Sequence, residues 1–95
     1  MAEVIQQYVS LFQDENGETY RVMARGASSP AGTWEGWLEF HPVDRANAVL
    51  LTERETTQPD RSALEYWASG LEPLYFEGAF ERAREKNNNA ARQMK

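Results

Sequence analysis

His41 is the only histidine in the chain, and it closes the run Thr33-Trp34-Glu35-Gly36-Trp37-Leu38-Glu39-Phe40-His41. In an extended strand alternate side chains share a face, so Glu35, Trp37, Glu39 and His41 stand together on one side. An imidazole beside two carboxylates is the raw material of acid–base catalysis or of a metal site. Neighbours two apart on a strand are roughly 6.5–7 Å from each other, however, so a metal would need further ligands from other strands. A histidine followed by proline also marks a plain strand end in solvent. No catalytic residue, metal ligand or cofactor is therefore assigned. The enzymatic alternative is a small acid–base enzyme or ligand-binding domain that uses His41 with Glu39 or Glu53, in a pocket between sheet and helices.

Trp37 is the more unusual residue, because it sits between two carboxylates on the polar side of its strand. It either packs under a loop or the C-terminal segment, or it marks a binding surface of the kind exposed tryptophans often form. Trp34, on the opposite, apolar side, is expected in the core. Arg21 and Arg25 lie on the polar side of the preceding strand, where cross-strand ion pairs account for them. Holding a carboxylate or phosphate is the sharper reading, but no glycine-rich loop precedes a helix N-terminus nearby to complete an anion cradle. Ser28-Ser29 has no base close in sequence and reads as loop chemistry, not as a nucleophile. The expected function is a non-catalytic protein-binding or regulatory module. Its contact face would carry Trp37, Glu35, Glu39, His41, Arg21 and Arg25, and its partner is another protein or a second copy. A third reading is a structural homodimer through an edge strand, left poorly protected by the glycine-bounded loop at 26–32.

The elements that would carry these residues follow from periodicity and turn chemistry. Residues 5–13 alternate imperfectly, with Ile5, Val9 and Leu11 on one side and Tyr8 and Phe12 on the other, as in a strand covered on both faces. Asn16-Gly17 predicts a two-residue type I′ hairpin turn. The return strand over 18–25 puts Tyr20, Val22 and Ala24 on one face and Thr19, Arg21, Met23 and Arg25 on the other. The stretch 26–32 reads as a mobile loop. A third strand spans 33–41, with Gly36 leaving a gap for a close neighbour. Pro42 and the polar link around Asp44-Arg45-Ala46-Asn47 lead to a fourth strand at 48–55. Thr56-Thr57-Gln58-Pro59-Asp60 then reads as a helix start, capped by Thr57, Gln58 or Asp60. Leu64, Trp67, Ala68 and Leu71 form its apolar stripe, and Gly70 stands at the place of a left-handed C-cap. A second helix opens at Glu72-Pro73 and buries Phe76, Ala79, Phe80 and Ala83, with Gly78 suggesting a close contact. The expected fold is α+β: a four-stranded antiparallel meander, open or curled, followed by two C-terminal helices packed on one face.

At 95 residues, 41% hydrophobic and 26% charged, the chain has the make-up of one ordinary domain. The reading is a single domain over 1–85 and a flexible or frayed basic tail over 86–95. Residues 1–81 hold five basic and fourteen acidic side chains, a net charge of −9 within a chain of −5. So acidic a body repels phosphate backbones, which makes nucleic acid an unexpected partner except through the tail. There is no cysteine, hence no disulfide and no thiolate ligand. No apolar run is long enough for a membrane span, and the acidic, glutamine-interrupted N-terminus does not read as a secretory signal. A cytoplasmic location is expected.

Overall fold

The computed structural model describes residues 2–44 and 47–93, with side chains through Asn89. Arg45 and Ala46 of the expected link, and Met94, Lys95 and the Arg92 side chain of the expected tail, lie outside that part. Six strands form one open antiparallel sheet: β1 (Glu3–Gln7), β2 (Phe12–Gln13), β3 (Thr19–Ser28), β4 (Trp34–Pro42), β5 (Leu50–Leu51) and β6 (Thr56–Gln58). Two helices follow, α1 (Arg61–Ser69) and α2 (Pro73–Gln93). β3 and β4 are the centre, β1 and β2 pair in turn with β3, and β5 and β6 pair in turn with β4. This is the expected meander followed by two helices, with each outer strand broken in two.

Both breaks have a local cause. A bulge between Val4 and Gln6 turns Ile5 to the side that Tyr8 and Phe12 also occupy, and all three pack against the core. The chain then leaves the ladder, and Val9 and Leu11 are exposed, so the expected two-sided burial of this strand is corrected. On the other side, Thr52 N donates to the Leu38 carbonyl (3.0 Å) and Glu55 N to the Gly36 carbonyl (2.8 Å). Residues 53–54 are therefore surplus to the ladder opposite Trp37. Pairing resumes at β6, so Thr56, Thr57 and Gln58 are strand and not helix start.

The two hairpins that frame β3 and β4 use one turn. Gly17 N donates to the Asp14 carbonyl (3.1 Å) and Asp14 N to the Glu18 carbonyl (2.9 Å); Gly32 N to Ser29 (3.0 Å) and Ser29 N to Thr33 (2.7 Å) repeat the pattern. Gly17 and Gly32 have φ of +83° and +89°, and no other described residue has positive φ. These are three-residue loops ending in a left-handed glycine, in place of the expected two-residue type I′ turn. The Asp14 carboxylate favours this form by accepting the N–H groups of Asn16 and Glu18, both at 2.9 Å. The loop expected at 26–32 is correspondingly shorter, because Gly26, Ala27 and Ser28 stay paired with Gly36, Glu35 and Trp34.

The core lies between one sheet face and the helices. Tyr20, Val22, Ala24, Leu38, Phe40 and Leu50 from the sheet meet Leu64, Ala68, Phe76, Ala79, Phe80 and Ala83, all buried. Phe12, Tyr20, Phe40 and Phe80 stack edge-on or tilted, with centroids 4.9–6.5 Å apart. Trp34 is only half-buried at the end of the sheet, under the Arg61 guanidinium 5.8 Å from its ring centroid, and is not core. α1 starts at Asp60, whose carboxylate accepts Ala63 N (2.8 Å). Gly70 ends it in the right-handed region (φ −93°), not the left-handed one, and Leu71 N already donates back to Ala68 (3.4 Å). Gly78 faces solvent, and the one near neighbour a Cβ there would meet among the described residues is the Arg82 side chain of the same helix, at 3.3 Å. α2 continues through residues 86–93.

Candidate functional site

The sheet face turned away from the helices brings together the residues singled out in sequence. Cross-strand register arranges them in rows: Ala27, Glu35 and Thr57; Val4, Arg25 and Trp37; Gln7, Met23, Glu39 and Leu51; Arg21 and His41. Glu39 stands in the middle and is 8% exposed, on the face away from the helices, whose corner at Arg21, Met23 and His41 is walled by Val43, Asn47 and Val49 of the link after β4. Its shelter is its neighbours. Oε1 is 2.9 Å from His41 Nε2 and 3.8 Å from an Arg25 guanidinium nitrogen, while Oε2 accepts the Trp37 indole N–H at 3.2 Å. A carboxylate only accepts, so the His41 proton lies on Nε2 in this arrangement. The carboxylate thereby holds an indole and an imidazole in place on the surface.

Arg25 completes the cluster by donating to the Ala2 carbonyl (3.4 Å), and its Nε is buried without a hydrogen-bond partner among the described residues. Trp37 is half-buried, with its indole N–H on Glu39. Glu35 makes a loose ion pair with Arg54 (3.6 Å), and both are well exposed. Arg21 is exposed opposite His41 and has no charged partner among the described residues. Around them lie apolar side chains, and Val4, Val43, Val49 and Leu51 are exposed. Alternation pointed to Met23 on this side, but the valines and Leu51 were not singled out. Their place depends on the β1 bulge and on the register of β5.

His41 does not line a pocket between sheet and helices; it lines a cavity of about 500 Å³ on the opposite face, with Arg21, Met23, Pro42, Val43, Asn47 and Val49. His41 and Glu39 meet on that face, and Glu53 is exposed in the bulge between β5 and β6. Among the described residues no group of three or more metal-ligating side chains is close enough to hold an ion. The loop at 26–32 joins the two central strands; the sheet edges belong to β1 and β2 on one side and to β5 and β6 on the other. No protein-family model, curated protein or solved structure matches this chain.

A second polar cluster had no signal in the sequence. Glu55, with only 7% of its side chain exposed, accepts from the Tyr75 hydroxyl (2.5 Å) and from Arg82 through Nε (3.1 Å) and a terminal nitrogen (2.5 Å). Burial pushes the Glu55 carboxyl up, but the bonds and charge of Arg82, with the Tyr75 and Thr52 hydroxyls, hold it below its ordinary value. Tyr75 is raised to about 12, by burial first and then by Glu55. The cluster ties the sheet edge to α2. It also engages Arg82, while Arg84 pairs with Glu15 (3.0 Å) and Glu81, so two of the five basic residues beyond position 81 neutralise the acidic body.

Proposed function

We propose that this chain is a non-catalytic protein-interaction module whose contact surface is the open sheet face centred on Trp37. The observation that carries the reading is the Glu39 carboxylate, held nearly inaccessible on the sheet face away from the helices by Trp37, His41 and Arg25. Such a network fixes an aromatic anchor without adding reactive groups. Val4, Met23 and Leu51 supply apolar area beside the indole, and charged side chains form the rim, the anatomy of an interface hot spot. The partner is a protein surface with an apolar centre and a carboxylate that meets Arg21, the face's unpaired cation among the described residues.

The test uses the intact chain, a Trp37→Ala variant and an Arg21→Glu variant, each checked for folding by circular dichroism. A protein captured by the wild type and lost by both variants is purified and titrated into isotopically labelled chain. Amide shifts confined to Val4, Met23, Trp37 and Leu51 support the reading. Shifts on the helical side, or capture unaffected by either substitution, overturn it.

A further inference from the structure

On the other side of the sheet, α2 and the segment leading into the first hairpin frame a cleft of about 420 Å³. Its interior is apolar, formed by Leu11, Phe12, Phe76 and Phe80, and its polar groups lie at the mouth. Four of those are carboxylates: Asp14, Glu15, Glu77 and Glu81. The only cation lining it is Arg84, already shared between Glu15 and Glu81 at one end. After Tyr8 N donates to the Val22 carbonyl (3.1 Å), the departure of residues 9–11 from the ladder opens this cleft and leaves Leu11 in its wall half-exposed. Its size falls within the range of pockets that enclose ligand groups, yet it lacks the converging polar atoms that orient a small polar ligand. An acidic mouth also excludes nucleic acid and phosphorylated segments.

We propose that this cleft receives a basic amphipathic helix of a partner protein. Its apolar side chains, one turn apart, enter over Phe12, Phe76 and Phe80, and its lysines or arginines meet Glu77 and compete with Arg84 for Glu81 and Glu15. Specificity rests on charge at the rim and shape within. The site is independent of the Trp37 face, which lies across the sheet.

The probe is a synthetic helix of about fourteen residues, roughly four turns, made of leucine and lysine at amphipathic spacing. The same helix with glutamate for lysine is the control. Each is titrated into labelled full-length chain and followed by amide shifts. The lysine helix is expected to shift Leu11, Phe12, Phe76, Glu77 and Phe80, and the glutamate helix to leave them in place. Glu77→Lys, a solvent-facing helix position that tolerates substitution, is expected to weaken binding at least tenfold. Leu11→Ser is expected to weaken it by a similar factor, and Trp37→Ala to leave it unchanged. Shifts scattered over the acidic surface, equal binding of the two helices, or undiminished binding to Glu77→Lys overturn the proposal.

Discussion

Gly26 and Gly36 face each other across β3 and β4, and the space their Cβ atoms would occupy is filled from above by one residue, Leu64 of α1. A Cβ on Gly36 would lie 2.6 Å from the nearer Leu64 methyl and 3.2 Å from Thr56 Cγ2. The glycine pair thus lets α1 lie directly on the sheet, and it keeps the helix off the opposite face that carries Trp37.

Gly36→Ala is expected to destabilise the fold by about 1–3 kcal/mol, the usual effect of overfilling a packed core. Leu64→Ala alone is expected to cost about 2–5 kcal/mol, because it leaves a cavity. The double variant should lose less than the two single losses combined, since the new methyl enters the vacated space. Urea unfolding of all four proteins measures this coupling, and strict additivity would refute the contact.

Glu39 and Glu35 differ in what their removal leaves behind. Glu39→Ala strands a half-buried Arg25 and the indole N–H of Trp37, an expected loss of about 1–3 kcal/mol. Glu35→Ala removes only an exposed pair with Arg54, and less than about 1 kcal/mol should go. Thermal unfolding of the two variants side by side orders them.

Acid sensitivity should trace to Glu55. Its carboxyl is held below the ordinary value of 4.5 in the folded chain, so the folded state binds this proton less readily than the unfolded state does. Its contribution is complete above pH 4.5 and is lost as the pH falls through the lower folded value. Glu55→Gln is expected to be less stable at neutral pH and to show a flatter decline between about pH 5 and 3. Chemical denaturation at a series of pH values reads the slope.

The alkaline limb belongs to tyrosines. Burial raises Tyr8 to about 12, with Tyr75 adding to it, and Tyr75 itself is raised to about 12. The unfolded chain releases these protons first, so stability should decline from pH 10 upward. Tyr8→Phe removes one of them together with the 2.7 Å bond to the Ala68 carbonyl, and should cost about 1 kcal/mol at neutral pH. Ultraviolet titration of phenolate formation follows the shift directly.

The helix start decides among the three N-caps, Thr57, Gln58 and Asp60, that residues 57–60 left open. Asp60 is the N-cap, with its carboxylate on Ala63 N, and Thr57 is an exposed strand residue. Asp60→Ala should lose about 0.5–2 kcal/mol while Thr57→Ala changes little. Thermal melts of the two distinguish them.

Much of the architecture was legible because it depends on local periodicity. Alternation in 18–25 and 33–41 placed Arg21, Arg25, Glu35, Trp37, Glu39 and His41 on one face, and that face is where the register sets them. The stripe of Phe76, Ala79, Phe80 and Ala83 marked the buried side of α2. Gly36 signalled a close approach, and Leu64 makes it. The two bulges were not legible, because surplus residues, one in β1 and two between β5 and β6, are decided by what lies across the ladder; the bulges set Ile5 on the side of Tyr8 and brought Thr56–Gln58 into the sheet.

By itself the sequence determined the class of fold and which side chains share a face within β3, β4 and the two helices, since each follows from spacing over a few residues. Only the tertiary structure decided that Glu39 is sheltered by its own neighbours, that Glu55 meets Tyr75 and Arg82 from 20 and 27 residues away, and that Phe12 and Phe76 line one cleft. These are meetings between segments distant along the chain. Burial and partner depend there on how the helices lie across the sheet, and no local pattern encodes that.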